Sequence, residues 1–138
     1  MTNQEKNKVS SNITALLACE KSTQYEFCQW AEQYGASAST LRDVVLLGYR
    51  DMARWKIKGI RNLLREFDPD YQGSVETYYE EVGMSERLYQ FFLEEGGMSR
   101  NTVWARFRNA WFKPWELMGI EDMVGKFLQE KGIEVRNS

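Results

Sequence analysis

Histidine is absent from this chain of 138 residues. Its absence removes the commonest general base and the commonest metal ligand. Cysteine occurs only as Cys19 and Cys28. Two thiols without histidine make neither a disulfide framework nor a zinc site, so buried thiols in a reducing cytoplasm are expected. Proline is equally scarce, at Pro69 and Pro114. Alternating β-branched residues and Asn-Gly or Asp-Gly turns are missing, which speaks against hairpins. Apolar runs such as Val44 to Leu47 and Phe91 to Leu93 are far too short to span a bilayer. The opening residues, MTNQEKNKVSSN, carry no signal-peptide pattern and read as a flexible tail over 1–12. A cytoplasmic, non-enzymatic protein with no cofactor, no metal and no membrane contact is expected.

What the chain does have is apolar mass. Its hydrophobic share is 43% and its aromatic share 14%, enough to build a packed core. Apolar residues recur at helical spacing, as in Leu16, Tyr25, Phe27, Cys28 and Ala31, then Leu88, Phe91 and Phe92, then Met123 and Phe127. This periodicity predicts an all-α chain. Residues 67–74, Phe-Asp-Pro-Asp-Tyr-Gln-Gly-Ser, hold the densest cluster of helix breakers. They divide the chain into a first half over 13–67, a joint over 68–74 and a second half over 75–138.

The halves resemble one another. Gly35, Ser37, Thr40 and Leu41 match Gly97, Ser99, Thr102 and Val103 at a separation of 62. Tyr25 and Phe27 match Tyr89 and Phe91 at 64, and Trp55, Gly59 and Ile60 match Trp115, Gly119 and Ile120 at 60. An internal repeat of this kind predicts two similar helical units packed as a pseudo-dimer.

The repeated Gly-x-Ser-x-x-Thr-(Val/Leu) has a local meaning. Glycine supplies the left-handed backbone of a tight turn after a helix. In the second copy Met98 plugs the turn and Ser99 caps the next helix. Val103, Phe107 and Ala110 then fall on one buried face, which Trp111 extends, and Pro114 suits the start of a new helix. The outer face carries Asn101, Ala105 and Arg108, flanked by Trp104.

Charge follows the repeat. Arg42 to Arg65 holds seven basic residues and two acids, Glu66 to Glu95 nine acids and one base, and Arg100 to Lys113 four bases and no acid. Two basic blocks thus bracket an acidic one.

Two helices joined by a short glycine turn, the second opening Ser-x-x-Thr-Val, resemble the helix-turn-helix of bacterial DNA-binding proteins. The resemblance covers Tyr89 to Asn109 and, more weakly, Tyr25 to Leu46. It implies that Arg100, Asn101, Trp104 and Arg108 read bases, with Ser39 and Arg42 in the first copy. Arginine suits guanine and asparagine suits adenine, because each can bond a base edge through two atoms. Ser37, Thr40, Ser99 and Thr102 would meet phosphates, as would Arg50, Arg54, Lys56, Lys58, Arg106 and Lys113. Asp43 on the first outer face would repel phosphate.

Size, two motif copies and a central joint are similar to the TraN-type accessory proteins of Gram-positive conjugative plasmids, which share a shape with excisionases. That resemblance implies an internal-dimer fold with a helix-turn-helix at each end and a monomer that binds double-stranded DNA near an origin of transfer. It also implies a relaxase or other transfer protein as partner, and a role in transfer or its regulation. The alternative is a protein-interaction adaptor that works through the acidic helical surface, Glu80 and Glu81 included, without binding DNA.

Overall fold

A computed structural model describes residues 11–37, 41–42 and 52–134. Among them every regular element is helical and none is a strand, as the periodicity predicts. Helix α1 spans Ser11–Leu17 and α2 Lys21–Ala31, which runs into a 3-10 turn over Glu32–Tyr34. Helices α3 (Arg54–Lys58) and α4 (Ile60–Phe67) follow. Residues 68–74 carry no helix, as their breakers require. A 3-10 turn over Val75–Thr77 leads into α5 (Tyr78–Glu81). The remaining helices are α6 (Glu86–Gly96), α7 (Arg100–Arg108), α8 (Pro114–Met118) and α9 (Ile120–Glu130). No described helix is long and apolar enough to cross a membrane.

Burial divides the apolar side chains into two cores. The first joins Ile13 and Leu16 of α1, Phe27 and Ala31 of α2, Ala36 and Leu41 to Trp115 of α8 and to Ile120, Met123, Val124, Phe127 and Leu128 of α9. The second joins Val75, Tyr78 of α5, Leu88, Tyr89 and Phe92 of α6, Met98, and Val103 and Phe107 of α7 to Trp55 of α3 and to Ile60, Leu63 and Leu64 of α4. Each core is therefore closed by a helix pair from the other side of segment 68–74. Neither stretch of sequence buries its own apolar face alone. Fully burying one Leu, Ile or Phe contributes about 1.5–3 kcal/mol, so the exchange ties the two cores into one cooperative unit.

The exchanged pairs meet at two glycines. Gly59 (φ 96°, ψ 143°) links α3 to α4, and Gly119 (φ 87°, ψ 154°) links α8 to α9. A Cβ on Gly59 would lie 2.5 Å from the Met118 carbonyl oxygen, and one on Gly119 would lie 2.5 Å from the Gly59 nitrogen. Backbone meets backbone here, and only glycine permits both the approach and the positive φ.

The separation of 60 holds for Trp55 and Trp115, Gly59 and Gly119, and Ile60 and Ile120, which are buried alike. The separation of 64 expected upstream does not match the burial. Phe27 and Phe92 are both fully buried, and Ala31 and Gly96 are both buried, which is a separation of 65. Tyr25 is exposed whereas Tyr89 is buried. The three residues of the 3-10 turn Glu32–Tyr34 lengthen the first connection and restore 62 at Gly35 and Gly97.

The start of the described chain also differs from the expectation. Ser11 and Asn12, read as tail, belong to α1. Glu121 at the start of α9 holds them. Its carboxylate accepts from the Asn12 amide (2.6 Å), the Ile13 amide (3.3 Å) and the Ser11 hydroxyl (3.1 Å). Burial pushes the Glu121 carboxyl above its ordinary range, and these hydrogen bonds pull it back.

Candidate nucleic-acid interface

The turn between α6 and α7 follows from its residues. Gly97 adopts the left-handed conformation (φ 69°, ψ 22°), and its amide donates to the Leu93 carbonyl at 3.1 Å. Met98 is 1% exposed and plugs the turn, its amide donating to the Phe92 carbonyl at 3.0 Å. The Ser99 side chain caps α7 by accepting from the Thr102 amide at 3.3 Å. The Ser99 and Thr102 hydroxyls lie 2.8 Å apart and share a hydrogen bond. Val103 and Phe107 are fully buried and seat α7 on α5 and α6. Phe107 packs edge-on against Phe92 (5.4 Å between centroids) and Tyr78 (6.1 Å).

The buried face stops earlier than the periodicity suggests. α7 ends at Arg108, and Ala110 has φ 50°. The Trp111 amide donates to the Arg106 carbonyl at 3.0 Å and the Ala110 amide to the Phe107 carbonyl at 3.3 Å. This is the Schellman closure, with alanine where glycine is usual. It turns Ala110 and Trp111 outward: Ala110 is exposed and Trp111 is 66% exposed.

The outer face of α7 presents Arg100, Asn101, Trp104 and Arg108, all exposed. The Arg108 guanidinium lies over the Trp104 ring, 4.8 Å from its centroid. Among the described residues Arg108 makes no ion pair. Arg100 is more constrained. It bonds both carboxylate oxygens of Glu86 (one at 3.1 Å) and stands 4.6 Å over the Tyr89 ring. This ion pair is exposed on both sides, so it is weak and open to exchange for another anion.

Arg106 differs from its expected place on the phosphate side. Its guanidinium lies 2.5 Å from the Glu116 carboxylate, which is 4% exposed. It also donates to the Trp111 carbonyl at 3.4 Å and lies between the rings of Trp55 (5.8 Å) and Trp111 (5.5 Å). A buried carboxylate with one cationic partner holds that partner in place. Arg106 thus fastens α7 to α8 and α3. Glu116 escaped sequence reasoning, although its place as third residue of a helix opened by Pro114 marks a capping carboxylate. It accepts from the Lys113 amide at 3.1 Å.

The remaining cations are dispersed. Arg54 pairs with Glu95 at 3.4 Å and Lys58 with Glu66. Lys56 stands 5.6 Å over Trp55, and Lys113 is exposed at the cap of α8. In the first motif copy Gly35 is left-handed (φ 81°), Ala36 and Leu41 are buried as Met98 and Val103 are, and Arg42 is exposed. The Leu41 amide donates to the Ser37 carbonyl at 3.2 Å. Ser39, Thr40, Asp43 and Arg50 lie outside the described residues. Among the described residues no cluster of His, Cys, Asp and Glu could hold a metal ion.

No protein family, curated protein or solved structure matches this chain.

Proposed function

We propose that the chain is a sequence-specific double-stranded-DNA-binding protein with two helix-turn-helix units arranged as an internal pseudo-dimer. The observation that carries this reading is the outer face of α7. A glycine turn and a serine cap project a helix whose exposed side holds Asn101, Trp104 and an Arg108 unpaired among the described residues. Asn101 and Arg108 bring the two side-chain types that read adenine and guanine. Arg100 would release Glu86 for a phosphate or base edge. Ser99 and Thr102 stand at the helix start, where hydroxyls meet phosphate.

The left-handed Gly35 and the buried Ala36 and Leu41 support a first unit, in which Ser37 and Arg42 would make the corresponding contacts. Two units on one chain let a monomer meet successive major grooves, about 34 Å apart. Arg54, Lys56, Lys58 and Lys113 would add electrostatic grip, and Arg106 would position α7 rather than touch DNA. Such a molecule suits an accessory or regulatory factor of a plasmid or mobile element, as the TraN-type resemblance implies, acting with a relaxase near an origin of transfer.

Selection from a random duplex pool followed by binding of the native chain, Asn101→Ala and Arg108→Ala tests the reading. Arg108→Ala is expected to lose about 1–3 kcal/mol on the selected site and much less on random duplex. Selection of no preferred site would favour the adaptor alternative, with the acidic surface around Glu80 and Glu81 as the working face.

A further inference from the structure

Position 121 has a counterpart 60 residues earlier, in the register that pairs Gly59 with Gly119 and Ile60 with Ile120. The counterpart is Arg61. In the first core Glu121 brings a carboxylate to the chain just before Ile13. In the second core Val75 and Tyr78 are buried at the spacing of Ile13 and Leu16, which pairs Ile13 with Val75 at a separation of 62, ahead of the three extra residues that make it 65 at Phe27 and Phe92. There the chain brings a guanidinium instead of a carboxylate, and a cleft of about 230 Å³ opens between α4 and the segment leading to Val75.

The cleft is lined by Arg61 and Arg65, one turn apart on α4, and by Gln72 and Ser74 opposite. Among the described residues neither arginine has an ion pair or hydrogen bond. The acid on its rim, Asp68, accepts from the Tyr78 hydroxyl at 3.1 Å. Tyr71, also on the rim, spends its hydroxyl on Glu81 and Thr77, each at 2.8 Å. The Gln72 amide donates to the Asp70 carbonyl at 3.4 Å and the Ser74 hydroxyl shares a hydrogen bond with Thr77 at 3.2 Å, so the two planar cations are what remains. This donor set matches the oxygens of a tetrahedral dianion, which arginine binds through paired N–H groups. The volume falls below that of a site for a whole drug-sized ligand, so it suits one small anionic group.

We infer that the Arg61–Arg65 cleft binds a phosphoryl group at the place where the other core carries the Glu121 carboxylate. The inference rests on the 60-residue correspondence of the pseudo-dimer reading. The phosphoryl group is either a free phosphate or a phosphate of the DNA backbone. The cleft shares no residue with the outer face of α7, so the two sites fail or hold separately.

The test is an amide and arginine side-chain NMR titration of the native chain with inorganic phosphate, against sodium chloride of equal ionic strength. Saturable shifts are expected at Arg61, Arg65 and residues 72–75 with phosphate alone. Arg61→Gln is expected to weaken phosphate binding about tenfold or more, the loss of one charge-assisted contact. Both arginines are exposed, so Arg65→Gln provides a second variant that leaves the core intact. Equal shifts with chloride, or phosphate binding unchanged in both variants, would overturn the inference. A duplex arm separates the sources. Duplex that shifts the same amides and is displaced by phosphate marks a backbone contact, and duplex that leaves them unmoved marks a site for a free phosphate.

Discussion

Trp55 and Trp115 stack against one another, with ring centroids 6.3 Å apart and planes inclined by 25°. They stand 60 residues apart and belong to opposite cores. Beside them Gly59 and Gly119 bring their backbones together. This contact locks the helix pair α3–α4 to the pair α8–α9, and both cores depend on it.

Gly59→Ala and Gly119→Ala are therefore expected to be among the most damaging single substitutions. Each adds a Cβ against backbone atoms and forces alanine to a positive φ. Strain and overpacking together cost about 3 kcal/mol or more. Urea denaturation should show it, and unchanged midpoints would mean that the helix pairs do not meet as described.

Ala110→Gly should stabilise the chain. Alanine at φ 50° carries a left-handed penalty of about 1 kcal/mol that glycine lacks. The gain is partly offset by the greater freedom of glycine in the unfolded chain. A net rise in the denaturation midpoint is expected, and a fall would contradict the closure drawn at the end of α7.

Arg106→Ala and Arg108→Ala should separate scaffold from surface. Removing Arg106 leaves the buried Glu116 carboxylate unpaired, which costs about 3 kcal/mol. Removing the exposed Arg108 should change stability by no more than about 0.5 kcal/mol. Equal losses of stability in the two variants would contradict the division of roles along α7.

Tyr78 sets an alkaline limit. Burial first, then the hydrogen bond to Asp68 and the charge of that carboxylate, push its phenol up to about 12 from an ordinary 10. Its folded value is the higher one, so its contribution is fully present below pH 10 and is lost as the pH rises towards 12. Ultraviolet titration should find one tyrosine ionising with the loss of structure, and Asp68→Asn should lower that pH.

Much of this was readable beforehand, for identifiable reasons. The turn at Gly97, Met98 and Ser99 was legible because a left-handed residue, an apolar plug and a hydroxyl cap are local requirements. The helical class was legible from periodicity. Partnership was not: Leu63 and Met123 announce a buried face but not the core that receives it. The outward Trp111 was missed because periodicity carries the apolar stripe past Arg108, where the left-handed Ala110 ends it. Arg106 read as a free cation because its partner, Glu116, comes into reach only after the chain has reversed.

The most direct measurement is fluorescence anisotropy of a labelled random duplex of about 30 base pairs, long enough for two successive major grooves. Native protein would be titrated at low and at near-physiological salt. The account predicts binding that weakens steeply with salt. No binding of the native chain at low salt would contradict it.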